Sequence, residues 1–310
     1  MRVLIAGGNG FVGRALTREL TDAGHEVGWL SHRPGRAAEL GFPALEEVAF
    51  VPHSENDTWN TAVAAADAIV NLSGYPIASR WNPRVKHLIR ESRIETNRAL
   101  VRVLTDAADA DPSRARVLVT ASGIGIYGER GAEVLSESSA PGDDWLARVA
   151  VDWEGAAMPA TEAGVRVVAV RTAVVIGREG VLPRMLLPMK LFSGGPIGNG
   201  KQYFPWIHIA DLVGIYRFAL ENDAVSGPVN ACAPVQLTMG QFARALGHVT
   251  HRPSWFPVPG FILKIILGEV APYTLFSQRA DSSMIASAGY DFRFPDAESA
   301  LADAIAHMRD

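Results

Sequence analysis

Short apolar runs alternate with longer stretches whose apolar residues recur every three or four positions through the first half of the chain. The runs Val3–Ala6, Glu26–Leu30, Val48–Val51, Ala68–Leu72, Arg116–Thr120 and Arg166–Val170 predict strands, several apolar enough to be covered on both faces. Between them, helical periodicity predicts helices around 11–24, 58–65, 84–108 and 144–163. Alternation of this kind needs crossover connections, and those give a parallel sheet with helices on both faces. The pattern loosens after Arg171, where Gly194-Gly195-Pro196 and Gly198-Asn199-Gly200 precede a helix over 212–221. From Gln236 onward come prolines and short helical patterns. The predicted fold class is α/β: a doubly wound parallel sheet over 1–171, joined by later segments near 205–232, with a smaller C-terminal lobe within 172–310. No internal repeat or low-complexity tract is present.

Composition narrows the partners. Of 310 residues 48% are hydrophobic and 20% charged, and the net charge of −4 gives no reason to expect nucleic acid or anionic membranes. The apolar stretch Phe261–Leu267 is interrupted by Lys264 and is too short to span a bilayer, and no signal peptide is expected. The single cysteine, Cys232, lies in the expected strand Val229–Ala233 and reads as a buried thiol; the count fits a cytoplasmic protein. Only four lysines are present: Lys86, Lys190, Lys201 and Lys264.

The most informative chemistry lies at Arg2–Gly13. The run Val3–Ala6 ends in glycines at 7, 10 and 13 and passes into a helical pattern. A strand turning tightly into a helix offers backbone amides and the positive end of a helix dipole to a pyrophosphate. In this motif Gly7 serves the turn, Gly10 the close approach of phosphates, and Gly13 helix-on-strand packing. The loop residues Gly7, Asn9, Gly10, Phe11, Val12 and Gly13 are therefore expected to bind a dinucleotide. The second strand should end beside its ribose, where NAD-specific proteins place an acid. Here the tip reads Ser31-His32-Arg33-Pro34-Gly35-Arg36, with no acid before Glu39. A guanidinium there can pair with a 2′-phosphate, so Ser31, His32 and Arg33 point to NADP(H), with Arg36 an alternative holder. Solvated loop charge is the competing reading of both arginines.

Asn71-Leu72-Ser73-Gly74 and Thr120-Ala121-Ser122, leading to Tyr127-Gly128, complete a pattern that resembles the extended short-chain dehydrogenase/reductases. Ile77–Trp81 with Lys86 and Ser92-Arg93, Gly198–Gln202 running to His208, and Val258–Gln278 resemble an atypical subgroup, the epimerase-family or nucleotide-sugar-epimerase-like proteins. The resemblance implies a Rossmann-type core, NADP(H) binding through Asn71, Leu72, Ser73 and Gly74 as well, and a substrate lobe after about residue 171. It also implies loss of the superfamily's Tyr-x-x-x-Lys proton-transfer dyad. If Glu154 matches the usual glutamate, Leu146 and Ala150 stand in the dyad positions, and no lysine lies four residues after a tyrosine.

Ser122, at the end of its strand, matches the superfamily serine that bonds the reacting oxygen. Tyr127 is a second catalytic candidate, with a packing role as the alternative. Arg80, Trp81, Lys86 and Arg93 could face an anionic substrate, or be ordinary surface and helix residues. A hydrolase triad of Ser122, His208 and Asp211 is excluded by the missing Gly-x-Ser-x-Gly elbow; Asp211 reads as a helix cap. Trp145 and Trp153 read as one packed helix face. His248 and His251 lack neighbouring ligands, so no metal site is expected. Two functions remain open. One is an NADP(H)-dependent oxidoreductase or epimerase-like enzyme acting on a small carbonyl or sugar-type substrate, with a homodimer as one expected assembly. The other is a non-catalytic NADP(H) sensor or partner-binding protein, in keeping with the linkage of relatives to cell or organelle division.

Overall fold

The computed structural model describes residues 1–52, 58–114, 116–257 and 268–308. The apolar run Phe261–Leu267 and the start of the C-terminal stretch at Val258 fall outside the described residues. Seven strands form the main sheet: β1 (Arg2–Ala6), β2 (Glu26–Ser31), β3 (Glu46–Ala49), β4 (Ala68–Asn71), β5 (Val117–Gly123), β6 (Arg166–Thr172) and β7 (Gly227–Ala231). Their spatial order is β3-β2-β1-β4-β5-β6-β7, and every pairing is parallel. The third strand sits two residues earlier than its apolar run, because Glu46 to Ala49 pair with Gly28 to Ser31. Phe50, whose amide still donates to the Ser31 carbonyl, packs its ring edge-on against Trp59.

Alternation along β1 explains the layering. Val3 and Ile5 point to the face where Leu16 and Leu20 of α1 (Phe11–Asp22) meet Leu212 and Ile215 of α6 (Ile209–Glu221). Leu4 and Ala6 point to the opposite face, against Trp59 of α2 (Thr58–Ala65) and Leu100 and Leu104 of α3 (Pro83–Ala110). All four β1 side chains are fully buried, each large one contributing roughly 1.5–3 kcal/mol. The helix α4 (Trp145–Ala157) lies beside α3. Strand order reverses between β1 and β4, and this switch point opens a crevice at the carboxyl ends of the strands.

After β6 the chain leaves the sheet. A short strand, Val174–Ile176, pairs with Trp206–His208, and α5 (Leu182–Lys190), α7 (Met239–Thr250) and the helix Ala297–Ala306 enclose a separate core around Trp206, Phe242 and Leu301. Between these excursions α6 and β7 return to the sheet. The helix α6 is capped by His208, whose ring Nδ1 accepts the Ala210 amide, and not by Asp211. The Asp211 carboxylate is fully buried and accepts the amides of Arg293 and Phe294, tying the C-terminal segment to the core. An N-cap assignment read the sequence spacing locally and missed a partner eighty residues away.

Candidate active site

The glycine loop is shaped as a phosphate cradle. Gly7 has φ 83°, and a Cβ there would lie 2.9 Å from the Leu72 carbonyl carbon. Gly13 sits tightest, since a Cβ would come within 2.4 Å of the Gly7 oxygen and 2.6 Å of the Gly8 Cα. Gly10 differs: an added Cβ would meet only the Gly7 oxygen, at 3.3 Å, so the space above it is open to a ligand. Gly10 is also the N-cap of α1 and offers no capping side chain, which leaves the leading amides available to an anion. Gly8, which the motif leaves unspecified, backs onto the Trp29 ring; Trp29 in turn donates its indole N–H to Thr17.

A cavity of about 800 Å³ runs from this loop, with Gly7, Asn9 and Gly10, past Ser31, His32, Arg33 and Arg36, to Leu72, Ser73 and Gly74. Phe11 and Val12 turn their side chains elsewhere, Phe11 toward Gly177 and Val12 toward the second cavity. The Ser31 hydroxyl accepts the Arg33 amide, shaping the turn at the strand tip. Arg33 is exposed; Arg36 makes a distant contact with Glu39, at 3.9 Å. One acid that sequence spacing overlooked does reach this loop. Glu47, from the neighbouring strand, accepts the amides of Gly35 (2.5 Å) and Ala37 (3.1 Å), so its carboxylate shapes the loop. Asn71 lies behind the cleft. Fully buried, it donates to Asn97 and accepts the Ser73 amide, while Asn97 bonds Thr120 and the Trp153 carbonyl. This buried network fixes the 72–74 loop.

A second cavity of about 430 Å³, largely apolar, shares Leu72 with the first. Ser122, at the end of β5, lies on its wall, as do Leu146 and Ala150, the residues in the expected dyad positions. The Ser122 hydroxyl donates to Glu154 Oε1 at 2.6 Å. Arg171, from β6, grips the same carboxylate through Nε and Nη2, both at 2.9 Å. Both side chains of this pair are largely buried. Burial works against the Arg171 charge, but the Glu154 carboxylate outweighs it and holds the guanidinium above its ordinary pKa. With its proton committed to Glu154, Ser122 presents an accepting oxygen to the cavity.

Tyr127 does not take the dyad's place in this geometry. Its ring is completely buried, its hydroxyl donates to Asn230 at 2.7 Å and accepts from Arg171 at 2.8 Å, and it does not line the cavity. Burial raises its pKa despite the opposing Arg171 charge. Its odd spacing from Ser122 follows from a single helical turn, Ile124–Tyr127, that carries the ring back under the sheet.

The expected substrate residues form a neighbouring wall. Trp81 packs edge-on against Trp145, with ring centroids 4.7 Å apart, and at a tilt against Tyr273, at 5.1 Å. The Lys86 ammonium lies over both indoles and pairs with Glu269. Ile77 and Leu146 connect this cluster to the cavity, while Arg80 is exposed beside Gly268. Trp145 lies under Lys86 and Trp153 under Arg93, both residues of α3, so the two indoles sit on the side of α4 that meets α3. His208 Nε2 lies 3.2 Å from an Asp303 carboxylate oxygen, and His248 pairs with Glu298 at the surface. Among the described residues, no three His, Cys, Asp or Glu side chains come together as a metal site, and no helix is long and apolar enough to cross a membrane. Cys232 is buried, its thiol pushed up to about 12 by burial.

Residues 3–232 match the model of the NAD dependent epimerase/dehydratase family, and residues 258–304 match a domain of unknown function, DUF1731. The chain is 37% identical over 303 residues to the chloroplastic epimerase family protein SDR39U1 homolog of Arabidopsis thaliana, covering 97% of this chain and 86% of that protein. It is 35% identical to the epimerase family protein YfhF of Bacillus subtilis, covering 100% and 99%. Among solved structures, human epimerase family protein SDR39U1 (isoform 2) with NADPH superposes with a TM-score of 0.85 at 34% identity, covering 98% of this chain and 99% of that one.

Proposed function

The chain belongs to the NAD dependent epimerase/dehydratase family, and we propose that it is an NADP(H)-dependent oxidoreductase, epimerase-like in type, acting on a small carbonyl or sugar-type substrate. One observation carries this reading: Ser122 stands on the wall of a mostly apolar cavity that shares Leu72 with the glycine cradle. The cradle fits a dinucleotide because Gly10 leaves open space before an uncapped helix end. Gly7, Asn9, Gly10 and the amides of Phe11, Val12 and Gly13 would hold the pyrophosphate. Ser31, His32 and Arg33 would meet the adenosine ribose and its 2′-phosphate, with Arg36 next to them and Leu72, Ser73 and Gly74 along the opposite wall. The NADPH of the human relative supports the same choice.

Bound NADP(H) would supply or accept the hydride. Ser122 then handles the proton at the reacting oxygen: it accepts a bond from a substrate hydroxyl and passes its own proton toward Glu154. Arg171 positions that carboxylate. Leu146 and Ala150 contribute apolar wall and cannot exchange a proton. Trp81 and Lys86 serve the substrate side indirectly, by bracing the wall through Ile77 and Leu146, while Arg80 stays exposed outside this cluster.

The missing dyad also favours a second reading, in which NADP(H) binding has outlived catalysis and the protein senses the cofactor or binds a partner. A screen of carbonyl compounds for NADPH oxidation separates the two, after the purified protein is checked for bound nucleotide. Turnover of any class establishes the enzyme. Tight NADPH binding with no turnover across a broad panel establishes the sensor.

A further inference from the structure

Arg93 is the cation that the cavity chemistry described so far leaves unused. It projects from α3 onto the cavity wall and is only 7% exposed. Its guanidinium lies over the Trp153 ring, 4.8 Å from the centroid. Beside it stands Gly74, where a Cβ would come within 2.9 Å of Arg93 Cζ, so the backbone lies close against the guanidinium. Nη1 donates to the carbonyl oxygens of Tyr75 (3.0 Å) and Ile89 (2.9 Å). Among the described residues no carboxylate pairs with Arg93, and no acceptor meets Nε or Nη2.

Arg171 shows what is missing. That neighbouring arginine has a bidentate carboxylate in Glu154, whereas Arg93 faces apolar wall contributed by Ile77, Leu146 and Val149. Burial without a counter-charge pulls Arg93 down to about 10, and it remains charged at neutral pH. A buried guanidinium without an anion is costly, and its planar fork suits a carboxylate better than a single-point acceptor.

We propose that Arg93 binds the carboxylate of the substrate, so that the substrate class is a small oxo or hydroxy acid with an apolar remainder. The carboxylate takes the free Nε/Nη2 edge, the remainder lies along Ile77, Leu146 and Val149, and the reacting oxygen turns to Ser122. The inference rests on the proposed NADP(H)-dependent reading of the same site, and the experiment keeps the two apart.

Calorimetric titration of wild-type protein with NADP+ comes first; failure to bind removes the functional reading itself. The NADP+-saturated protein is then titrated with 4-methyl-2-oxopentanoate and with its neutral amide. The acid should bind at least tenfold more tightly than the amide. Equal binding with NADP+ in place overturns the Arg93 assignment alone. In Arg93→Met the preference for the acid should vanish, and in Arg93→Lys it should partly return. If Arg93→Met instead weakens NADP+ tenfold while the acid's preference survives, the guanidinium serves the cofactor and the proposal fails. Should Arg93→Met not fold, the wild-type ratio and Arg93→Lys decide. Inorganic phosphate binding more tightly than the oxo acid overturns the carboxylate class.

Discussion

The cradle draws its phosphate side from one continuous stretch, Gly7 to Gly13, and its shape is set by backbone: a positive φ at Gly7, a tight packing glycine at 13 and open space at 10. The adjoining cavity takes Ser122 from β5 and Arg93 from α3, with Glu154 of α4 and Arg171 of β6 bonded behind the serine, and its character is set by side chains. The first site has no room for a Cβ at Gly7 or Gly13 and keeps open space at Gly10. The other has Leu146 and Ala150 on its wall and a buried charged network of Glu154 and Arg171 beside the serine. The cradle and the proposed chemistry therefore rest on different residues, and substitutions can address each in turn.

The largest effect should come from Gly10→Val, which fills the open space with a branched side chain and should abolish NADPH binding while circular dichroism shows an intact fold. Normal binding would place the nucleotide elsewhere. Next is Ser122→Ala: with a turnover substrate in hand, kcat should fall by roughly 10²–10⁴ with NADPH affinity unchanged. Activity that survives would move the proton source to water or to the lobe. Replacing Arg171 with Leu strips the Glu154 carboxylate of its bidentate partner. Urea denaturation should register a loss of about 3–5 kcal/mol, as for other broken buried pairs, and a change under 1 kcal/mol would show that the pair is well solvated.

Smaller again is Arg33→Ala, which should weaken NADPH about tenfold, or 1.4 kcal/mol, and leave NADH nearly unchanged. Equal wild-type affinities for the two nucleotides would remove the 2′-phosphate argument, and the same behaviour in Arg36→Ala alone would move that contact along the loop. Tyr127→Phe should leave kcat within a few-fold of wild type. It should lower stability by about 1–3 kcal/mol, because Asn230 and Arg171 each lose a partner. A large rate loss with unchanged stability would restore the phenol as the substitute acid.

The sequence by itself determined the strand and helix alternation and the phosphate cradle, because both rest on local backbone properties: periodicity and the absence of a Cβ at three spaced positions. It also showed that no Tyr-x-x-x-Lys pair exists, a matter of residue identity alone. Ser122 was legible as the serine at a strand end, but its bond to Glu154 was not, since the two are brought together only where α4 packs beside β5. Tyr127 could not be placed from spacing, because one extra helical turn decides whether its hydroxyl meets the cavity or Asn230. Asp211 looked like a cap until the C-terminal segment supplied its amide donors. Lys86 looked free until Glu269 and two indoles closed around it. Arg93 was one charge among several on a helix, and only packing between Trp153 and Gly74 made it buried and unpaired. In each of these cases the deciding partner lies far along the chain, and burial, which sets what a polar group must find, exists only once the elements have packed.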